Sequence, residues 1–173
     1  MQNSESIRKW SDIKGLAVVS TDAGQKVGTV EDFYFDPQTN GVRALLVKTG
    51  LFSHRALMSS NLSGIGTDAV TFADESMLIE EKSDSQLPTL PLGQSLLSYR
   101  ILSEGGSVIG TISNILLDVS IPADLRVDAF ELAGGLGARL TGHHHTFSAN
   151  RVTRYGRDVV VVPDAVAQAL NNL

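Results

Sequence analysis

An internal repeat constrains the fold of this 173-residue chain more than any other feature. The stretch DAGQKVGTVEDFYFDP (22–37) recurs as EGGSVIGTISNILLDV (104–119), with two glycines, a Gly-Thr pair and a closing aspartate at the same spacing. Two further blocks recur in the same order, VRALLVKTG (42–50) as VDAFELAGG (127–135) and IGTDAVTF (65–72) as YGRDVVVV (155–162). Because chance does not explain three matches in order, the sequence predicts two copies of about 80 residues each.

A short linker separates the two copies. Residues 81–93, EKSDSQLPTLPLG, contain Pro88 and Pro91 among small polar residues and leucines. Proline cannot donate a hydrogen bond to a β-ladder, and it biases the residue before it toward extended conformations. We therefore predict one domain at residues 1–84 and a second at residues 85–173.

Each copy has the pattern of short β-strands. Gly24 and Gly106 are typical of turns that need a positive φ, whereas Gly28 and Gly110 indicate bulges or corners where two backbones approach closely. Short strands at near-regular spacing predict an all-β protein of two small antiparallel β-barrels with short helical turns. The last segment, PDAVAQALNNL (163–173), predicts a C-terminal helix that begins at the proline.

Large aromatic residues in the first copy are expected to fill the core or the rim of a barrel. They are Trp10, Phe33, Phe35, Phe52 and Phe72.

Composition excludes several classes of protein. The chain has no cysteine, so it has neither disulfides nor a thiol nucleophile, and its net charge of −5 disfavours nucleic acid as a partner. No apolar run reaches the ~18 residues of a membrane span, so we expect no integral membrane insertion. The first ten residues lack the apolar stretch of a secretory signal, and we expect a cytoplasmic protein.

The second copy carries a basic cluster that the first copy lacks. Arg151, Arg154 and Arg157 surround Tyr155, whereas the corresponding segment NLSGIGTD (61–68) has no cation. Guanidinium groups bind carboxylates and phosphates with two hydrogen bonds at once, so these four residues are candidates for binding a partner. The alternative is a solvated turn with one or two ion pairs.

A histidine-rich loop offers a second candidate site. His143, His144 and His145 are consecutive, and His54 falls at the corresponding place in the first copy. A metal needs three or four converging ligands, and no carboxylate is adjacent to this loop. A metal site at His54, His143 and His145, adventitious metal binding, and a solvated loop all stay open.

Signatures of catalysis are absent from the sequence. No Gly-x-Ser-x-Gly elbow occurs, and the glycine-rich stretches do not match a phosphate-binding loop. Glu31 and Asp32 are adjacent, so on a strand they face opposite sides and cannot act as an acid and base pair. We therefore predict no enzymatic activity and no cofactor.

The repeated motifs resemble the PRC-barrel family. The resemblance is carried by GLAVVSTDAGQKVGTVEDFYFD (15–36), NGVRALLVKTG (40–50) and IGTDAVTF (65–72); it covers residues 7–80 and, less strongly, 93–162. One departure is that MSSN (58–61) and FSAN (147–150) stand where many family members have a proline. Members include the cytoplasmic domain of the photosynthetic reaction centre H subunit and the C-terminal domain of a ribosome-maturation factor.

The resemblance implies two tandem PRC-barrel-like domains that act as a non-enzymatic adaptor for a protein partner. It leaves open peripheral association with a membrane complex. Copies this small bury little core, so we expect the barrels to pack together, with a homodimer and strand exchange between the copies as open alternatives. The alternative function is a metal or ligand sensor built on His54 and His143–His145.

Overall fold

Strands dominate the protein, whose structure is a computed structural model that describes residues 6–133 and 145–171, the last without its side chain. The first half contains β1 (Ile7–Lys9), α1 (Trp10–Ile13), β2 (Ala17–Ser20), β3 (Gln25–Asp36), β4 (Gly41–Lys48), β5 (His54–Met58), β6 (Leu62–Ile65), β7 (Ala69–Phe72) and β8 (Leu78–Ile79). The second half contains α2 (Gly93–Leu96), β9 (Arg100–Ser103), β10 (Val108–Asp118), β11 (Arg126–Ala133), β12 (His145–Ser148), β13 (Arg154–Tyr155), β14 (Val159–Val162) and α3 (Asp164–Asn171). The predicted C-terminal helix is therefore confirmed. Within the described ranges no helix is long and apolar enough to cross a membrane.

The same strand pairings occur in both halves. β2–β3, β3–β4, β4–β5 and β6–β7 pair in antiparallel fashion, as do β9–β10, β10–β11, β11–β12 and β13–β14. β2 pairs with β7 in parallel, and β9 pairs with β14 in the same way. The strands form one mixed sheet that is not closed. The expectation of antiparallel pairing alone is thus corrected, because β2 runs parallel to β7 and β9 runs parallel to β14.

The glycine predictions are confirmed. Gly24 and Gly106 have φ values of 61° and 95°. The β2–β3 register shifts between Val18 and Val19, beside Gly28, and the β9–β10 register shifts between Val108 and Gly110. At both strand glycines a Cβ atom would overlap the neighbouring strand. The repeated motif is therefore a hairpin followed by a bulged strand.

The N-terminal segment of each half pairs with the other half. β1 pairs with β10, with Lys9 opposite Leu116, and Leu92 forms a β-bridge with Tyr34 on β3. α1 and α2 both start one residue later, at Trp10 and Gly93. Thus the segment before α1 extends onto the second half, and the segment before α2 extends onto the first half.

A polar side chain supports each crossing, that of buried Asp32 in one and that of half-buried Asn114 in the other. The Gln94 amide donates to Asp32 Oδ1 at 3.0 Å, and Asn114 Nδ2 donates to Ser11 Oγ at 2.9 Å. Asp32 also accepts from the Phe33 amide at 2.8 Å. Burial raises the pKa of the Asp32 carboxyl, and its backbone hydrogen bonds oppose that shift.

β4 and β11 join the two halves directly. Gly41 lies opposite Arg126, and the flanking bonds run from the Val42 amide to the Leu125 carbonyl at 2.9 Å and from the Val127 amide to the Asn40 carbonyl at 2.8 Å. Val42 corresponds to Val127 in the repeat, and Asn40 corresponds to Leu125, so exchanging the two halves converts one bond into the other. This is the pattern of a local pseudo-twofold axis. Gly41 and Arg126 form a non-hydrogen-bonded pair, in which the Cα atoms lie close together.

One large apolar cluster extends through both halves. It includes Trp10, Phe33 and Phe72 from the first half and Ile101, Phe130 and Val160 from the second, each at most 1% exposed. By contrast, Phe52 is 92% exposed, so its prediction as a core or rim residue is wrong. The edge-to-face contact of Trp10 with Phe33, with ring centroids 4.9 Å apart, lies inside this cluster.

The linker forms part of the packed structure. Leu87 is fully buried against Tyr34, Ala44 and Ala56 on the outer face of β3–β5. Upstream of it, Arg43 binds Asp84 with two hydrogen bonds of 3.0 and 2.8 Å, which lowers the pKa of the Asp84 carboxyl. The linker is therefore held at a fixed place against the first half.

Candidate interaction groove

A groove lies where the linker meets both halves. A cavity of about 490 Å³ is lined by Phe35 and Pro37 from the first half, Thr89, Leu90 and Pro91 from the linker, and Leu96, Tyr99, Tyr155, Gly156 and Arg157 from the second half. A second cavity of about 450 Å³ shares Pro37, Thr89, Leu90 and Pro91 with it and adds Asp36, Gln38 and Gln86. We call the two together the linker groove.

The local backbone fixes the wall that the linker supplies. The Phe35 amide donates to the Pro91 carbonyl at 2.9 Å, and the Leu92–Tyr34 bridge follows directly. Proline at position 91 leaves no amide hydrogen there, so the chain presents a ring rather than a donor to the groove. The wall is therefore held against β3 by backbone hydrogen bonds, and Leu90 and Pro91 make it largely apolar.

Tyr155 forms the floor between the halves. Its ring lies 5.2 Å from that of Phe35 and 6.2 Å from that of Phe130, measured between centroids. Its hydroxyl donates to Asn40 Oδ1 at 2.8 Å, and burial raises the pKa of the phenol well above its usual range. Tyr155 is thus a neutral structural residue whose edge lines the groove.

The predicted arginine cluster separates in the structure. Arg151, Arg154 and Arg157 are all exposed, but only Arg157 lines the linker groove. Arg154 precedes Tyr155 on a strand, so the two side chains point to opposite faces. Arg157 lines one cavity and Asp36 the other, which gives the groove charges of opposite sign toward its two ends.

The two cavities have a polar counterpart in the first half. A cavity of about 670 Å³ is lined by Arg8, Asp12, Ile65, Gly66 and Thr67. The starts of α1 and α2 place Arg8 at the position of Pro91, and the repeat places Gly66 at that of Gly156 and Thr67 at that of Arg157. Arg8 Nη1 donates to the Gly66 carbonyl at 2.8 Å, so the arginine side chain spans this counterpart cavity. Pro91 cannot form this hydrogen bond, which leaves the linker groove open.

The histidines are only partly described. His143 and His144 lie outside the described residues. His145 begins β12 opposite Leu132, and His54 begins β5 opposite Lys48, so the two stand on corresponding strands of different halves. No group of three or more metal-ligating side chains occurs among residues 6–133 and 145–170. The metal hypothesis stays a prediction.

Sequence reasoning found two residues of the groove, Tyr155 and Arg157, and missed the linker wall. The three leucines between and beside the prolines of residues 87–92 are a signal of that wall, because a solvated linker does not favour so many bulky apolar side chains.

A comparison with known families supports the resemblance for the first half of the chain. No curated protein matches the chain. The family model of the PRC-barrel domain matches residues 5–84, a range that ends at the predicted domain boundary and includes β1 to β8. Residues 5–84 are therefore similar to the PRC-barrel domain, which supports the resemblance for this part of the chain.

Proposed function

We propose that residues 85–173 form a second PRC-barrel-like domain, and that the chain is a cytoplasmic, non-enzymatic adaptor that binds a protein partner in the linker groove. The second domain is supported by the strand pairings that recur in both halves. The interlocked segments and the shared core favour a single adaptor body.

The observation that carries the proposal is the difference between the groove and its counterpart. Both halves need the same strands, yet Pro91 and Arg157 replace Arg8 and Thr67 in the second half. A residue that differs while the fold stays the same is not required by the fold. The exchange removes the hydrogen bond from Arg8 to Gly66 and places the exposed side chain of Arg157 beside apolar walls.

The chemistry of the groove favours an extended peptide segment. Proline, leucine and tyrosine side chains provide apolar contact, and aromatic and arginine side chains are enriched at protein interfaces. Arg157 can bind a carboxylate with two hydrogen bonds. We therefore expect a partner segment with apolar side chains and an acidic residue that faces Arg157.

Peptide selection with a displayed library tests this function. We expect enrichment of peptides with an acidic residue next to proline or aromatic residues. Arg157→Glu should weaken their binding by about tenfold or more, because like charges then face each other. The matched control is Arg151→Glu, which makes the same charge change on an exposed residue outside the groove.

Either of two results would count against the groove as the binding site. One is that the selected peptides bind both charge-reversal variants equally well, and the other is that Arg151→Glu is the variant that loses them. Isothermal titration calorimetry with the selected peptides distinguishes these outcomes. Circular dichroism of each variant checks that the fold is intact.

A further inference from the structure

The hairpin between β4 and β5 carries the most exposed bulky apolar side chains among the described residues. Leu51 is 78% exposed and Phe52 is 92% exposed. The Thr49 amide donates to the Ser53 carbonyl at 2.9 Å, and the two hydroxyls of these residues lie 2.9 Å apart. These bonds close the loop, so both apolar side chains stand at the end of a defined hairpin.

The fold does not explain these two side chains. Neither residue belongs to a core cluster within the described ranges. Exposed bulky apolar residues next to each other are typical of surfaces that bind something. The other large exposed apolar residues, Val108 and Ile121, lie apart from each other and at 59% and 61% exposure.

Basic residues flank the tip on both strands. Lys48 precedes it on β4, and His54 and Arg55 follow it on β5, where they pair with Lys48 and Val47. No aspartate or glutamate occurs between Asp36 and Asp68 in a chain of net charge −5. The hairpin is therefore locally positive in an acidic protein.

The basic residues lie a short distance behind the apolar tip of the hairpin. Lys48 is three residues from Leu51, which is at most about 10 Å along an extended chain and less across the closed loop. Apolar groups of membrane-surface proteins reach about 5–10 Å into the boundary between headgroups and acyl chains. Leu51 and Phe52 at that depth would leave Lys48 and Arg55 level with the headgroups.

We propose that this hairpin tip inserts into the surface of a membrane that contains anionic lipid. Basic residues near such a surface are attracted by its negative potential, and the two apolar side chains add burial. The tip is a narrow projection, whereas the residues that dominate protein interfaces pack into pockets of a broad patch. These features favour a lipid surface over a protein partner.

The lipid site and the linker groove share no residue. None of Lys48, Leu51, Phe52 and Arg55 lines either cavity of the groove. A variant can therefore lose membrane binding and still bind the peptide in the groove, and another can lose the peptide and still bind membranes.

Vesicle flotation tests the lipid site. The full chain should float with phosphatidylcholine vesicles that contain phosphatidylglycerol, and much less with phosphatidylcholine alone. Added salt should release it, because the cations contribute through screened charges. Leu51→Ser/Phe52→Ser should weaken binding by about tenfold or more through lost apolar burial.

A matched control uses the other exposed apolar residues. Val108→Ser/Ile121→Ser removes two exposed apolar side chains elsewhere and should leave vesicle binding unchanged. The proposal is overturned if the full chain does not bind the anionic vesicles. It is equally overturned if Leu51→Ser/Phe52→Ser binds as well as the full chain, or if the control pair loses binding to the same extent.

A fluorescence measurement locates the tip independently. The native tryptophan, Trp10, is 1% exposed, so its emission reports the fold and not the tip. Phe52→Trp adds an exposed fluorophore, and we expect its emission to shift to the blue when anionic vesicles are added. A spectrum that does not change with vesicles would show that position 52 stays in water and would refute the insertion.

Discussion

Alanine at Gly28 is expected to lower the free energy of unfolding by about 3 kcal/mol or more. A Cβ atom there would overlap the Lys48 carbonyl oxygen and come within 2.9 Å of Val47 Cγ1. A backbone oxygen in a ladder cannot move aside without separating β3 from β4. The cost is therefore at the upper end of what overpacking causes.

The repeat predicts the same loss for Gly110→Ala. Its Cβ would overlap Leu132 Cδ1 and lie 2.6 Å from the Ala133 carbonyl oxygen. Gly66→Ala is the matched control, because its nearest neighbour would be the Ala69 carbonyl oxygen at 3.5 Å, an ordinary contact. Urea unfolding followed by circular dichroism measures all three. Losses below about 0.5 kcal/mol at both strand glycines would contradict the close approach.

Trp10→Ala is expected to cost about 3–5 kcal/mol, the range for truncating a large aromatic residue in a core. Trp10 is 1% exposed, contacts Phe33 edge to face, and donates from Nε1 to Gln94 Oε1 at 3.5 Å. Gln94 belongs to the second half, so the truncation also loosens the contact between the halves.

Far-UV circular dichroism is the measurement for this variant, since the substitution removes the tryptophan itself. Phe52→Ala serves as the control, because an aromatic ring that is 92% exposed should contribute within about 0.5 kcal/mol. Equal losses for the two variants would show that Trp10 is not a core residue of the folded protein in solution.

Local patterns were sufficient to predict the repeated hairpin and the bulged strand that follows it. Gly24 and Gly28 stand in a motif whose spacing recurs at Gly106 and Gly110, and each glycine has the predicted role. The pairing of β1 with β10 could not be predicted in this way. A three-residue strand carries no signal that identifies its partner, because its local propensities are the same whichever half it joins.

The residues of the linker groove were predictable only where the two copies of the repeat differ in charge. Arg157 and Tyr155 were found because the first copy has no equivalent cation. Arg151 and Arg154 shared that signal but lie outside the groove, since position along a chain does not define the face on which a side chain emerges. Leu90 and Pro91 form a wall of the groove because the linker packs on β3. No local sequence signal shows which distant segment the linker contacts.

The linker groove takes its walls from both halves, so the pairing of β4 with β11 is the contact on which the proposed function depends. The chain has no cysteine, so a single engineered pair can report on that contact. In a non-hydrogen-bonded antiparallel pair the Cα atoms lie about 4.5 Å apart, which is within the range that a disulfide spans. Gly41 and Arg126 are such a pair.

The decisive measurement is therefore the oxidation of Gly41→Cys/Arg126→Cys, with Gly41→Cys/Asp128→Cys as the control two residues out of register. The first variant should form an intramolecular disulfide under mild oxidation, keep its native circular dichroism spectrum and still bind the selected peptides. The control should stay reduced, because diagonal neighbours lie about 7–8 Å apart. A first variant that stays reduced, or two variants that oxidise equally, would contradict the interlocked arrangement of the halves.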